Sequence, residues 1–477
     1  MSQAAAVNRA PNNATEADVV AGLIRRGRAA MDAFADADQA RVDEAVTALA
    51  WAIYEPSRAK ELAELAVQDT GLGNVKDKIT KNTRKTFGAL RDLLRAKTVG
   101  VIERDDAKGL VKYAKPVGVV AAVAPSTNPA ATPVNKAMFA VKGRNAVIIA
   151  PSPAGYSTTA KTCDYMRAEL KRIGLPEDLV QVLPAPITKG LTQSLMEQAD
   201  LVVVTGSQDN VRRAYSSGTP AIGVGAGNVP VIVDSTADFA DAARKICASK
   251  IFDNSTSCSS ENSVTILADV YDKAMQALKD AGGYLATPEE KALIQKNLWI
   301  DGKLNRRLIA KDPDVFARTV GLSKEAEKAK FFMVEDEGVG PERPFSNEKL
   351  SLVLTVYKAA DFAGAMKQVK SVMDYVGKGH SVGIHTKNMD HARKLAEDLD
   401  VVRVLVNQAH TFGNGGSFDN GLNFTLSMGC GTWAGNSISE NLNYRHFINV
   451  THLVTTIPED KPSEEALFGP FWKKYGK

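Results

Sequence analysis

The sequence predicts an α/β protein: a doubly wound parallel sheet, followed by a second α/β domain. Continuous apolar, β-branched runs of strand length recur at 117–125, 146–150, 179–183, 201–204 and 231–233. Helical stretches lie between them, at 157–173, 188–198 and 208–216. Strands that are apolar throughout, alternating with helices, imply a parallel sheet covered on both faces, the architecture of a dinucleotide-binding domain.

The other elements follow in order. Residues 1–15 are polar and Ala/Asn-rich and are expected to be a disordered tail. Val19, Val20, Leu23, Ala30, Met31 and Phe34 fall at helical spacing, with Asn13 or Thr15 as the expected cap. More helix is expected to about residue 94, broken at Glu55-Pro56 and near 71–73. The alternation resumes after residue 260, with strands at 263–267, 330–334, 352–357, 381–385 and 402–406 and helices at 271–281 and 288–297. A Gly- and Asn-rich stretch, 413–436, precedes an apolar strand at 448–456 of the kind that pairs with a partner subunit.

Composition narrows the function. The 477 residues suit two or three domains, and 44% apolar with 24% charged residues is ordinary for a globular protein. A net charge of +4 implies neither a nucleic-acid nor a membrane partner. Cys163, Cys247, Cys258 and Cys430 are scattered without a CxxC pair, so neither a metal site nor a disulfide framework is indicated. Reduced thiols and the lack of a signal-type segment lead to the expectation of a cytoplasmic protein.

Cys258 lies in the small, hydroxylated run 255–260, between a helical stretch and a strand. A thiol that substrate can reach there is a candidate nucleophile toward carbonyl carbon; an ordinary packed thiol is the alternative. Asn128, in a turn at the carboxyl end of the first sheet strand, is placed to donate to a developing oxyanion; an Asn-Pro turn is the plain alternative. Thr205, Gly206 and Ser207 form a strand-to-helix turn suited to a diphosphate.

Taken together, the strings 214–228, 252–254, 347–351, 379–381 and 428–441 resemble the aldehyde dehydrogenase superfamily, and more narrowly its coenzyme A-acylating branch. The resemblance spans roughly 16–455. It implies a Rossmann-type cofactor domain over 16–250, a catalytic domain over 251–430 and an oligomerisation segment over 431–477. A small β oligomerisation element near 98–116 would contribute to that segment. It also implies roles. Cys258 attacks the aldehyde, Asn128 holds the oxyanion with the Cys258 N–H, and Glu348 binds the nicotinamide ribose. Thr205, Gly206, Ser207, Ser152 and Gly225 lie along the cofactor. The glutamate that activates water in hydrolytic members falls at Val224, which cannot accept a proton, so the acyl group should pass to coenzyme A. His380 matches the branch's histidine and is the candidate base for the coenzyme A thiol.

The cofactor is NADP or NAD, with NADP favoured because no acid stands in 151–158 and Ser152, Ser157 and Thr158 could bond a 2′-phosphate. The segment 407–424 and the ending 441–446 carry many donors, among them His410 and Arg445, the candidate substrate ligands. That texture resembles acylating sulfoacetaldehyde dehydrogenases and implies a small anionic aldehyde. Acetaldehyde, propionaldehyde and succinate semialdehyde remain alternatives, as do hydrolytic turnover and an inactive structural or microcompartment-associated homologue. The expected assembly is a homodimer or homotetramer.

Overall fold

The computed structural model describes residues 15–477, so the expected disordered tail lies outside the described residues except for Thr15. Thr15 opens the first helix, Glu16–Ala33, with a capping box: its side chain accepts from the Asp18 N–H, and Asp18 bonds back to the Thr15 N–H.

Five parallel strands form the first sheet, in the order Val180–Val182, Ala146–Ala150, Val119–Val123, Leu201–Val204, Ala221–Ile222. Successive residues of each strand enter opposite faces. Val120, Ala122, Val147, Ile149 and Val203 pack into one core, and Val119, Ala121, Ile148, Val202 and Val204 into another. Helices Gln39–Tyr54, Ala131–Lys142 and Tyr156–Arg172 cover the first face, and Glu16–Ala33 and Lys189–Gln198 the second. Two-sided burial is why these strands read as unbroken apolar runs. The strand order reverses between Val119–Val123 and Leu201–Val204, which opens a crevice at their carboxyl ends.

The second sheet has seven parallel strands, in the order Gly283–Leu285, Phe331–Glu335, Val353–Ala359, Glu261–Leu267, Val229–Val233, Val382–His385, Val404–Val406. Val229–Val233 was expected to close the first sheet. It pairs instead with Glu261–Leu267 and Val382–His385, so the chain changes sheets between Ile222 and Val229. The apolar texture of a strand gives no sign of which sheet receives it, hence the misplacement.

A third sheet is antiparallel: Gly100–Asp105, Leu110–Pro116 and Ile448–Val454. The last strand therefore pairs within its own chain on one edge, while Val450, Leu453 and Val454 stay exposed. The final helix, Glu464–Tyr475, likewise leaves Leu467, Phe468 and Phe471 exposed. Among the described residues, no helix is long and apolar enough to cross a membrane.

Candidate active site

A cleft of about 690 Å³ separates the two large sheets, and Cys258 lies on its wall. Asn128, Ser152, Thr205, Gly206, Ser207, Gly225 and Glu348 line the same cleft, as does Val224. The residues from the first sheet all follow the carboxyl ends of its strands. Those from the second sheet all precede the amino ends of theirs.

On the first wall, Ser207 caps helix Gln208–Tyr215, its hydroxyl accepting from the Asn210 N–H at 3.3 Å. Gly206 before it has φ +147, a conformation that side-chain-bearing residues rarely adopt. The turn thus exposes backbone N–H groups at a helix start, which suits the diphosphate of a dinucleotide. Asn128 is half-buried in its loop, where the neighbouring Thr127 carbonyl accepts from Lys78 Nζ at 3.2 Å. The fully buried Lys136 bridges the Val123 and Val203 carbonyls at 2.6 and 2.9 Å, tying together the two strands that flank the crevice.

On the second wall, three consecutive non-glycine residues before the thiol adopt left-handed backbone: Asp253, Asn254 and Ser255, with φ of 50, 52 and 61. Such geometry is costly and persists only where its surroundings enforce it. Asp253 does the enforcing. Its buried carboxylate accepts from Lys81 at 2.5 Å, Lys78 at 3.1 Å, Thr256 at 2.7 Å and the Asn74 N–H at 2.9 Å. Burial alone would raise the Asp253 carboxyl, but Lys81 and Lys78 outweigh it and hold the group below the usual carboxylate range. Across the loop, a Cβ on Gly227 would lie 2.3 Å from the Cys258 carbonyl oxygen, and one on Gly225 would lie 2.8 Å from Cys430 Sγ. Only glycine allows the 223–227 segment to lie this close to the nucleophile.

Burial pushes the Cys258 thiol up to about 12, with further contributions from Glu348 and Cys430; Ser259 and Arg403 act against it. Burial also pushes Glu348 up to about 8, against Lys349 and Lys250. Both shifts favour the protonated, uncharged form.

The structure does not bring His380, His410 or Arg445 onto the cleft wall. His380 is buried beside the 429–431 segment: Arg403 donates to both the His380 and Gly429 carbonyls at 2.9 Å. Its Nδ1 meets Ser381 Oγ at 2.8 Å, and its Nε2 has no hydrogen-bond partner among the described residues. Burial, Arg403 and His410 keep this imidazole neutral. His410, expected to bind substrate, is instead fully buried: Nε2 bonds Ser381 Oγ at 2.8 Å and its backbone N–H donates to Glu261 at 3.1 Å. Arg445, expected beside it, is exposed and paired with Glu440 at 2.7 Å. Both expectations are corrected. The polar side chains of that region largely satisfy one another, as in Asn414 to Ser259 at 2.9 Å and Asn420 to Gln408 at 2.9 Å. Glu261 is structural, as its partners show.

A further correction concerns the cofactor's adenosine end. An acid does stand at Ser157 and Thr158: Asp69, from helix Pro56–Thr70, accepts from both hydroxyls at 2.9 and 2.7 Å and from the Thr158 N–H at 2.9 Å. Those hydroxyls are therefore engaged, and Ser152 is the one that lines the cleft. Two further residues belong here, of which only Lys85 was absent from the sequence reading. Cys430 sits close enough to act on the Cys258 thiol, and Lys85 reaches the cleft from helix residues far away in sequence.

Known proteins share this arrangement. The chain is 54% identical to a sulfoacetaldehyde dehydrogenase (acylating) of Cupriavidus necator, over 97% of this chain and 94% of that one. It is 39% identical to a succinate-semialdehyde dehydrogenase (acetylating) of Clostridium kluyveri, over 94% and 98%. The crystal structure of an acetylating aldehyde dehydrogenase from Geobacillus thermoglucosidasius superposes with a TM-score of 0.90 at 34% identity, covering 94% of this chain and 98% of that one. The profile of the aldehyde dehydrogenase family matches residues 5–288. With this identity over nearly its whole length and the family profile over more than half of it, this chain belongs to the aldehyde dehydrogenase family.

Proposed function

We propose that the protein is a coenzyme A-acylating aldehyde dehydrogenase, converting sulfoacetaldehyde, coenzyme A and NADP or NAD reversibly into sulfoacetyl-coenzyme A and reduced cofactor. Val224 carries the reading. It lies on the cleft wall directly before Gly225 and Gly227, which pack against Cys430 and Cys258, at the position where the resemblance puts a water-activating acid. A valine accepts no proton, so the acyl group on sulfur awaits a better nucleophile than water, and a thiol is one. The relatives described above support both the acylating chemistry and the sulfonated substrate.

In this reading Cys258 adds to the carbonyl carbon. The Asn128 amide and the Cys258 N–H donate to the oxyanion, whose charge is stabilised by fixed dipoles. Thr205, Gly206, Ser207 and Gly225 would hold a nicotinamide dinucleotide and Glu348 would bind its ribose; that cofactor would supply the hydride acceptor. The Cys258 thioester is then displaced by the coenzyme A sulfur, returning the thiol. His380 is the base proposed for that step, supported by its neutral ring and unpartnered Nε2. The 16–250, 251–430 and 431–477 division is retained as a functional one: cofactor, nucleophile and assembly. The exposed edge of strand Ile448–Val454 supports a homodimer or homotetramer, measurable by light scattering. A cytoplasmic location accords with four free thiols.

The test is an assay of purified protein with sulfoacetaldehyde, acetaldehyde, propionaldehyde and succinate semialdehyde, with and without coenzyme A, on NAD and NADP. Coenzyme A-dependent cofactor reduction, fastest with sulfoacetaldehyde, is expected. Full-rate turnover without coenzyme A refutes the acylating reading. A preference of about tenfold or more for an uncharged aldehyde refutes the substrate.

A further inference from the structure

Helix residues 75–94 run along the nucleophile loop and are interrupted by a π-helical turn, Lys81–Lys85. Such turns loosen backbone hydrogen bonding and recur at functional sites. At the start of this one, Lys81 bonds Asp253 at 2.5 Å and Thr256 at 2.6 Å, two residues before Cys258. At its end, Lys85 lines the cleft.

The two lysines differ in their partners. Lys81 has a carboxylate. Lys85 donates only to the Gly415 and Gly416 carbonyls, at 2.9 and 3.3 Å, and forms no ion pair among the described residues. Burial pushes the Lys85 ammonium down to about 7, and the charges acting on it, Arg84 and Lys81, are both positive. A desolvated cation without a counter-charge is unfavourable unless a ligand supplies one. The segment it holds is tied to the nucleophile loop, since Asn414 donates to Ser259 at 2.9 Å.

We propose that Lys85 is the anion-recognising residue of the aldehyde site, its ammonium pairing with the sulfonate of a substrate whose carbonyl lies at Cys258. This rests on the substrate reading above. Two carbonyls take two of the three ammonium protons and leave the third for a sulfonate oxygen, a charge-assisted bond. Sulfoacetaldehyde holds its sulfonate one methylene from the carbonyl, so one cation near the thiol serves both orientation and selection. A neutral aldehyde leaves the ammonium unpaired, and the site discriminates against it.

The experiment compares kcat/KM for sulfoacetaldehyde and propionaldehyde in wild type, K85M, K85R and, as a control cation on the same cleft, R306M. The sulfoacetaldehyde-to-propionaldehyde ratio should fall about a hundredfold in K85M and recover in part in K85R. An unchanged ratio, with both rates falling together, would mean that Lys85 only tethers the glycine loop, and overturns the proposal. So does a ratio that falls in R306M but not in K85M. A second readout needs no turnover: ethanesulfonate should slow iodoacetamide alkylation of Cys258 in wild type and not in K85M. If wild type prefers propionaldehyde yet shows this Lys85-dependent protection, the substrate reading fails while the anion site stands. If wild type turns over sulfoacetaldehyde but ethanesulfonate protects both proteins equally, Lys85 is excluded.

Discussion

The two walls of the cleft are built from opposite ends of parallel strands. The five-stranded sheet contributes the loops that leave its strands: Pro125–Asn128 after Val119–Val123, Ser152 after Ala146–Ala150, and Thr205–Ser207 after Leu201–Val204. The seven-stranded sheet contributes the loops that enter its strands: 224–227 before Val229–Val233, 253–259 before Glu261–Leu267, and Glu348 before Val353–Ala359. Carboxyl-end crevices at a reversal of strand order are the regular ligand site of open α/β sheets, and the first wall is made with short turns and a single helix cap. The entering loops have no such ready-made crevice. Shaping them takes four left-handed non-glycine residues, Asp253, Asn254, Ser255 and Leu350, two close glycine contacts and a buried Asp253–Lys78–Lys81 cluster. One wall is a generic crevice of the fold; the other, which carries Cys258, is shaped residue by residue.

The sharpest break of this contrast is C258A. Cofactor reduction should fall at least about a thousandfold, while cofactor binding, followed by fluorescence titration, stays with the first wall. A surviving rate would place the nucleophile elsewhere. N128A probes the one reactive duty assigned to the first wall, and a kcat loss of roughly 100- to 1000-fold is expected from removing an oxyanion donor. A loss confined to KM would return Asn128 to simple binding.

D253N tests the enforcement itself. Removing the carboxylate leaves two buried ammonium groups unpaired, at about 3–5 kcal/mol, readable as a lower Tm and altered Cys258 alkylation. The sign with pH follows from the depressed Asp253 carboxyl. Its stabilisation is complete above the unfolded value of ~3.9 and is lost as pH falls through the lower folded one, so the wild-type advantage over D253N should shrink in acid. A pH-independent difference would mean that the cluster is not what holds the loop. H380A should spare acylation of Cys258, seen as a burst of reduced cofactor, yet slow transfer to coenzyme A by about a hundredfold. Equal loss of both half-reactions would contradict its role as base. Smallest is V224E, which restores an acid to the reactive wall; slow acid release without coenzyme A is expected, and none at all would mean that position 224 does not control the fate of the acyl group.

The generic wall was also the legible one. Two-sided burial writes itself into sequence as runs such as Ala146–Ala150, and the turns that follow them are ligand sites by rule. Glu348 and Val224 were found through motif resemblance rather than from strand pattern, and Cys258 through its small, hydroxylated run. Lys85 and Asp69 were missed because their roles arise from folding one segment onto another far away in sequence: Asp69 meets Thr158 and Lys85 meets Gly415 only in three dimensions. His410 and Arg445 were over-read because a donor-rich sequence looks like a ligand site until its donors are seen to bond one another.

The π turn at Lys81–Lys85 has an evolutionary consequence. It amounts to one extra residue wound into a helix. Deleting one residue between Lys81 and Lys85 would restore the regular repeat and rotate one half of the helix against the other by about 100°. Lys78 and Lys81 hold Asp253 on one side of the turn, while Lys85 lines the cleft on the other and is the residue proposed to meet the aldehyde's anionic group. A single codon lost in this turn would therefore change what the enzyme accepts and leave intact the thiol that acts on it, so substrate range and chemistry can drift separately.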